Sequence, residues 1–173
     1  MEKSLSTFLK QFSGVLSTSP SCSFTKFECQ VIETQIFNDL NQKNKYTALD
    51  LPDNKNLILS KRNLGLVKQS FSKISSLNNF TIKSNTNTPC VSFNNTDFDL
   101  VIFEFGNLPI VKNNKNNKVL FLINYPSRRL YFLGFIKNED IDFSNPEIVD
   151  SLNGVGQNFL LKKIDNINYF IND

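Results

Sequence analysis

The chain has 173 residues, with 19 Lys plus Arg against 16 Asp plus Glu and 40% apolar residues, the proportions of a folded domain of ordinary size rather than of a disordered chain. There is no histidine, which excludes Ser-His-Asp and Cys-His catalysis and His-bearing zinc sites, and leaves carboxylates, lysines and hydroxyls for any chemistry. The longest apolar runs, such as Val119-Leu120-Phe121-Leu122-Ile123, fall far short of the roughly 20 residues that cross a bilayer, so no membrane partner is expected.

Along the chain, Leu5, Phe8, Leu9, Phe12, Val15 and Leu16 recur at helical spacing and predict an amphipathic helix over 4–16, ended by Gly14 and the serine-rich run 17–23. Thr25-Lys26-Phe27-Glu28 has the form of a capping box, with Phe24 and Cys29 at the staple positions. It starts a second helix reaching about Asn41, whose stripe is Cys29, Ile32, Ile36 and Leu40. Glu33 stands beside that stripe, either at its solvent boundary or facing a site on a neighbouring sheet. After a short apolar piece, 57–59, Ser60 or Asn63 can cap a third helix ending near Leu77. Its Leu64, Val67, Phe71 and Ile74 share one arc, and Lys61, Arg62, Lys68 and Lys73 fall outside it.

From Phe80 the pattern changes to strands: 80–83, 90–93, 97–105, 118–124 and 129–136 are rich in β-branched and aromatic residues. The last two are apolar on both faces and belong at the centre of a covered sheet. Tyr125-Pro126-Ser127-Arg128 makes the hairpin turn between them. Pro109 marks 108–111 as an edge strand, and the asparagine-rich tract 112–117 reads as a solvated loop. In the acidic tail, Ser144, Pro146, Glu147 and Gly154 predict a capped helix, followed by short strands at 158–164 and 167–171. The expected fold class is therefore α+β, a single domain over 1–173. N-terminal helices (1–79) pack on a mixed, largely antiparallel central sheet (80–173).

Three cysteines, Cys22, Cys29 and Cys90, are an odd number in a chain read as lacking a signal peptide. They are expected to be reduced thiols of an intracellular protein, cytoplasmic or inside an organelle, with no structural metal. The 25 Asn and 17 Phe without any Trp suggest AT-rich codon usage, as in a phage, virus, organelle or AT-rich microbe. Charge is unevenly spread, for residues 54–96 carry six cations and no carboxylate while 137–173 carry three cations and seven carboxylates. The basic stretch is a candidate surface for phosphate backbones or an acidic partner.

The segment 118–136, then Asn138-Glu139-Asp140-Ile141, then Gly156-Gln157-Asn158-Phe159-Leu160-Leu161 resembles the C-terminal half of small PD-(D/E)XK nuclease-like proteins. The resemblance covers about 50 residues and implies a restriction-endonuclease-like fold, with Mg²⁺ as cofactor only if the chain is a nuclease and none otherwise. The catalytic candidates it implies are Asp97, Asp99 and Glu104, with Glu33 as a further carboxylate. This sequence departs from the family where lysine should follow, since Gly106 stands there. Strand alternation also puts Asp97 and Asp99 on one face and Glu104 on the other. The metal site is thus expected to be degenerate. The function expected is nucleic-acid binding or a nuclease-like domain, through Lys61, Arg62, Lys68, Lys73, Arg128 and Arg129. The alternative is a non-enzymatic structural or adaptor subunit of a larger organelle or viral assembly, with a protein partner or a second copy of the chain.

Overall fold

The computed structural model describes residues 15–44, 55–83, 89–151 and 154–161. The helix expected over 4–16 therefore lies largely outside the described residues, and so does the strand expected at 167–171; residues 15–18 are helical. The capping box forms as read, the Glu28 N–H donating to Thr25 Oγ1 at 3.1 Å and the Thr25 N–H to Glu28 Oε2 at 2.7 Å. Helix α1 spans Lys26–Asn44 and buries Cys29, Ile32, Ile36 and Leu40.

Helix α2 spans Lys55–Lys73, so Ser60 and Asn63 lie inside it rather than at its start. It ends before Ile74, which is extended and leads into a 3₁₀ turn at Ser75–Leu77. Its buried arc is also rotated from the one expected: Arg62, Asn63, Leu66, Val67 and Ser70 are buried, as is Ile74 just beyond it, and Leu64 and Phe71 only partly so. A Cβ on Gly65 would stand 2.9 Å from Cγ2 of Ile32, so the glycine is what lets α1 and α2 approach.

Six strands form one sheet in the order β1-β6-β5-β4-β3-β2: β1 Ser21–Ser23, β2 Thr81–Lys83, β3 Cys90–Phe93, β4 Thr96–Glu104, β5 Lys118–Asn124 and β6 Arg129–Ile136. Only β4 and β5 run parallel; the other neighbours are antiparallel. The fold is thus α+β with a mixed, largely antiparallel sheet. The serine-rich run expected only to end a helix supplies edge strand β1, whose Cys22 pairs with Leu130. A parallel pair needs a crossover, and 105–117 supplies it. Residues 108–111, expected as an edge strand, belong to this crossover and form no ladder. Leu108 and Val111 instead anchor it by burial against the sheet.

Local chemistry sets the turns. Asn94 (φ 46°) and Asn95 (φ 62°) take the left-handed conformations that a two-residue hairpin connection requires. In the β5–β6 turn the Arg128 N–H donates to the Tyr125 carbonyl at 2.9 Å, with Pro126 at the second position as expected. In β6 an extra residue enters the ladder, since Leu120 faces Gly134 and Phe121 faces Phe132. Gly134 (φ 129°) accommodates this bulge, which shifts the side-chain alternation by one residue. Phe132 and Phe135 consequently share the helix-side core, and Leu133 and Ile136 share the other. Strict alternation would have put Phe135 with Leu133.

Both faces of the sheet are covered. On one, α1 and α2 pack over Phe98, Val119, Phe121, Ile123 and Phe132; on the other, the crossover and Val15 and Leu16 pack over Val101, Phe103, Leu120 and Leu122. This explains why β5 and β6 are apolar throughout. The acidic tail corrects the expectation most sharply. In place of a helix from Ser144 to Gly154 stands a hairpin of β7 Ile141–Ser151 and β8 Gly154–Leu161. Ile141 and Phe143 pack on the second core, an alternation that only a strand provides. Pro146 falls where the ladder is interrupted between Asp142 and Glu147, so its missing N–H removes no ladder bond. Among the described residues no helix is long and apolar enough to cross a membrane.

Candidate functional site

The carboxylates of β4 are divided by its pleat. Asp99 lies on the face of Val101 and Phe103, and Glu104 on the face of Phe98, Leu100 and Ile102. The β4 ladders show no register shift, so the two groups stay on opposite sides of the sheet, as the alternation predicted.

On the helix side, Glu104 is 9% exposed and ion-pairs with Arg62, itself 8% exposed. Asn63 Nδ2 donates to Glu104 at 3.3 Å, and Asn63 Oδ1 accepts from Arg62 Nε and Nη2 at 3.2 and 3.1 Å. The Arg62 guanidinium lies 3.6 Å from the centroid of the Tyr125 ring, a cation–π contact. The Tyr125 hydroxyl in turn donates to Glu33. Burial first, and then the Glu33 carboxylate, push the Tyr125 hydroxyl up to about 12. Glu33 thus faces the sheet through Tyr125, while Arg62 is turned inward and leaves the exposed basic surface to which the helical wheel assigned it. The reason is Glu104, a carboxylate forty-two positions away that no local hydrophobicity pattern reveals. The network sits at the carboxyl ends of the parallel pair β4–β5, where sheets of this kind often place ligands. Here its groups are turned toward one another.

On the opposite face, Lys118 is fully buried and its Nζ donates to Asp99 Oδ2 at 3.1 Å, Asn114 Oδ1 at 2.5 Å and the Asn116 carbonyl at 2.6 Å. Asp99 also accepts from Asn114 Nδ2 at 2.7 Å and Asn116 Nδ2 at 3.0 Å. Burial would raise the Asp99 carboxyl, but hydrogen bonds from Asn114, Asn116 and Lys118, with the Lys118 charge, hold it below its ordinary value. Burial lowers the Lys118 ammonium, and Asp99 restores only part of the loss. The tract 112–117, expected as a solvated loop, is therefore partly a lid over a buried lysine. Local pattern does not mark Lys118 and its asparagines as a cluster; the one signal in the sequence is a lysine opening an apolar strand.

Asp97 is paired with Lys83 across β3, at 2.8 and 3.0 Å, in an exposed position. The Lys83 ammonium, then Ser92, lower the Asp97 carboxyl. Among the other cations, Lys73 contacts Glu28 at 2.7 Å and donates to the Ser23 carbonyl at 3.1 Å. Arg128 Nε donates to the Phe24 carbonyl at 3.2 Å, and Arg129 pairs with Ser23 in the ladder. Lys73 and Arg128 are thereby brought to residues 23–24, while the Arg129 guanidinium lies 5.8 Å from the centroid of the Tyr131 ring, on the face of the second core. Lys61 and Lys68 are exposed on α2. Cys29 is buried as expected, and burial pushes its thiol up; burial also pushes the Cys22 thiol up, to about 11. Among the described residues no group of three or more His, Cys, Asp or Glu side chains could hold a metal ion. Comparison of the chain with protein-family models, with curated proteins and with solved structures finds no match.

Proposed function

We propose that this protein is a non-catalytic nucleic-acid-binding module that takes up single strands. The observation carrying this reading is the convergence of the Lys73 and Arg128 side chains on the backbone carbonyls of Ser23 and Phe24. Beside them stands Phe27, 73% exposed and one residue before the Glu28 carboxylate that Lys73 contacts. Cations that follow a phosphate backbone, with an exposed ring for a base to stack on, are the elements of sequence-tolerant single-strand binding. The separation of Asp99 from Glu104, each held by its own cation, supports binding without Mg²⁺-dependent cleavage, which needs carboxylates converging on the metal.

A second reading, an adaptor subunit, is favoured by a shallow cavity of about 840 Å³ along α1. Its lining includes Phe27, Val31 and Phe37, a surface suited to a protein partner. Fluorescence anisotropy with labelled single-stranded DNA and RNA over a salt series separates the two. Binding is expected to weaken with salt. K61Q/K68Q/R128Q should reduce the salt slope by up to about one unit per lost phosphate contact, and F27A should lower affinity with the slope unchanged. Absence of binding at low salt overturns the nucleic-acid reading and leaves the adaptor.

A further inference from the structure

We propose that Lys118 and Asn114 become joined by an intramolecular isopeptide bond, with Asp99 as the proton-transferring group. Amide exchange between side chains needs four things in one place: an amine, an amide carbon, a donor to the amide oxygen, and a group that moves a proton from the attacking to the leaving nitrogen. All four are present. The amine Lys118 Nζ lies 2.5 Å from Asn114 Oδ1, and hence beside Cγ of that amide. The backbone N–H of Asn116 donates to the same Oδ1 at 3.0 Å, placed to stabilise negative charge as the carbonyl is attacked. One oxygen, Asp99 Oδ2, meets both nitrogens, Lys118 Nζ at 3.1 Å and Asn114 Nδ2 at 2.7 Å. Asn116 Nδ2 holds the other carboxylate oxygen at 3.0 Å and so fixes its orientation.

The step balances without any external reagent. Asp99 takes a proton from the Lys118 ammonium; the neutral Nζ attacks Cγ of Asn114 and forms the new C–N bond. The tetrahedral centre passes a further proton from Nζ, through Oδ2, to Nδ2. The bond from Cγ to Nδ2 breaks and ammonia leaves, taking from Asp99 the proton first removed from Lys118, so that it departs as ammonium and the carboxylate is restored. Nothing is oxidised or reduced. Full burial of Lys118, which lowers its ammonium below the ordinary lysine value, favours the nucleophilic form. The product closes the asparagine-rich crossover covalently onto the first residue of β5, whose ladder partner in β4 is Asp99 itself.

The intact mass of the purified, folded chain tests this. It is expected to be lower than the sequence mass by one ammonia, after prolonged incubation if not at once. A tryptic digest should show no cleavage after Lys118, and fragmentation should place the link between residues 114 and 118. Asp99→Asn should keep the full sequence mass. Asn114→Ala, a change in a half-buried loop position that retains the Asp99–Lys118 pair, should fold and also keep the full mass. A folded wild-type chain that stays at its sequence mass overturns the proposal. So does ammonia loss mapped to a succinimide with normal cleavage after Lys118, ammonia loss in Asn114→Ala, or undiminished linkage in Asp99→Asn.

Discussion

Replacing Glu104 by Ala isolates the contribution of the helix-side ion pair. The substitution removes the carboxylate and leaves Arg62, 8% exposed, with the Asn63 amide oxygen and the Tyr125 ring as its remaining partners among the described contacts. An uncompensated buried charge costs about 3 to 5 kcal/mol. The retained cation–π contact, worth up to about 2 kcal/mol when desolvated, places the expected loss near the lower limit, about 3 kcal/mol. That is a large fraction of the roughly 5 to 15 kcal/mol that stabilises a domain. Urea unfolding followed by circular dichroism should show the midpoint falling with an unchanged slope. The apolar double variant R62M/E104L should recover most of the loss, because removing both charges also removes the desolvation penalty. A loss below about 1 kcal/mol for E104A, the value of an exposed pair, refutes the argument, as does a double variant whose losses simply add.

Two further perturbations probe the rest of the fold. Phe121 is fully buried and its ring meets Phe71 at 6.0 Å and Phe132 at 5.1 Å, while Leu133, 3% exposed, lies in the core of the other face. Phe121→Ala should lose about 3 to 5 kcal/mol and Leu133→Ala about 2 to 5 in denaturant melts, and a change under about 0.5 kcal/mol at either contradicts the packing described. The capping box gives a pH signature. Lys73 first, and then the Thr25 N–H, lower the Glu28 carboxyl from its ordinary 4.5 to about 2. Its stabilisation is therefore complete above about 4.5 and vanishes as pH falls through about 2. Glu28→Gln should flatten the acid limb of stability in that window, and an unaltered profile measured by thermal melts from neutral to acid pH would show the ionised contact to be without effect.

Much of the local structure is written in short-range pattern. The capping box at Thr25 and Glu28, the stripe of α1, the strands from Thr81 to Ile136 and the proline turn at 125–128 each follow from a few adjacent residues, because capping, alternation and turn chemistry act over a turn or a ladder step. The same period puts Asp99 and Glu104 on opposite faces. What sequence could not reach depends on partners distant along the chain. Arg62 reads as a solvent cation until the helix-facing Glu104 of the sheet meets it, and an Asn-rich loop reads as solvated until Lys118 is buried beneath it. The tail carries every local mark of a helix, yet Ile141 and Phe143 find an apolar surface that only alternating side chains can reach, and the hairpin prevails. Burial of a far-off neighbour outweighs a cap worth about 1 kcal/mol. That is why helix starts and turns are decided by the sequence locally, while the buried ion pairs, the bulge at Gly134 and the fate of the tail are decided by the tertiary structure alone.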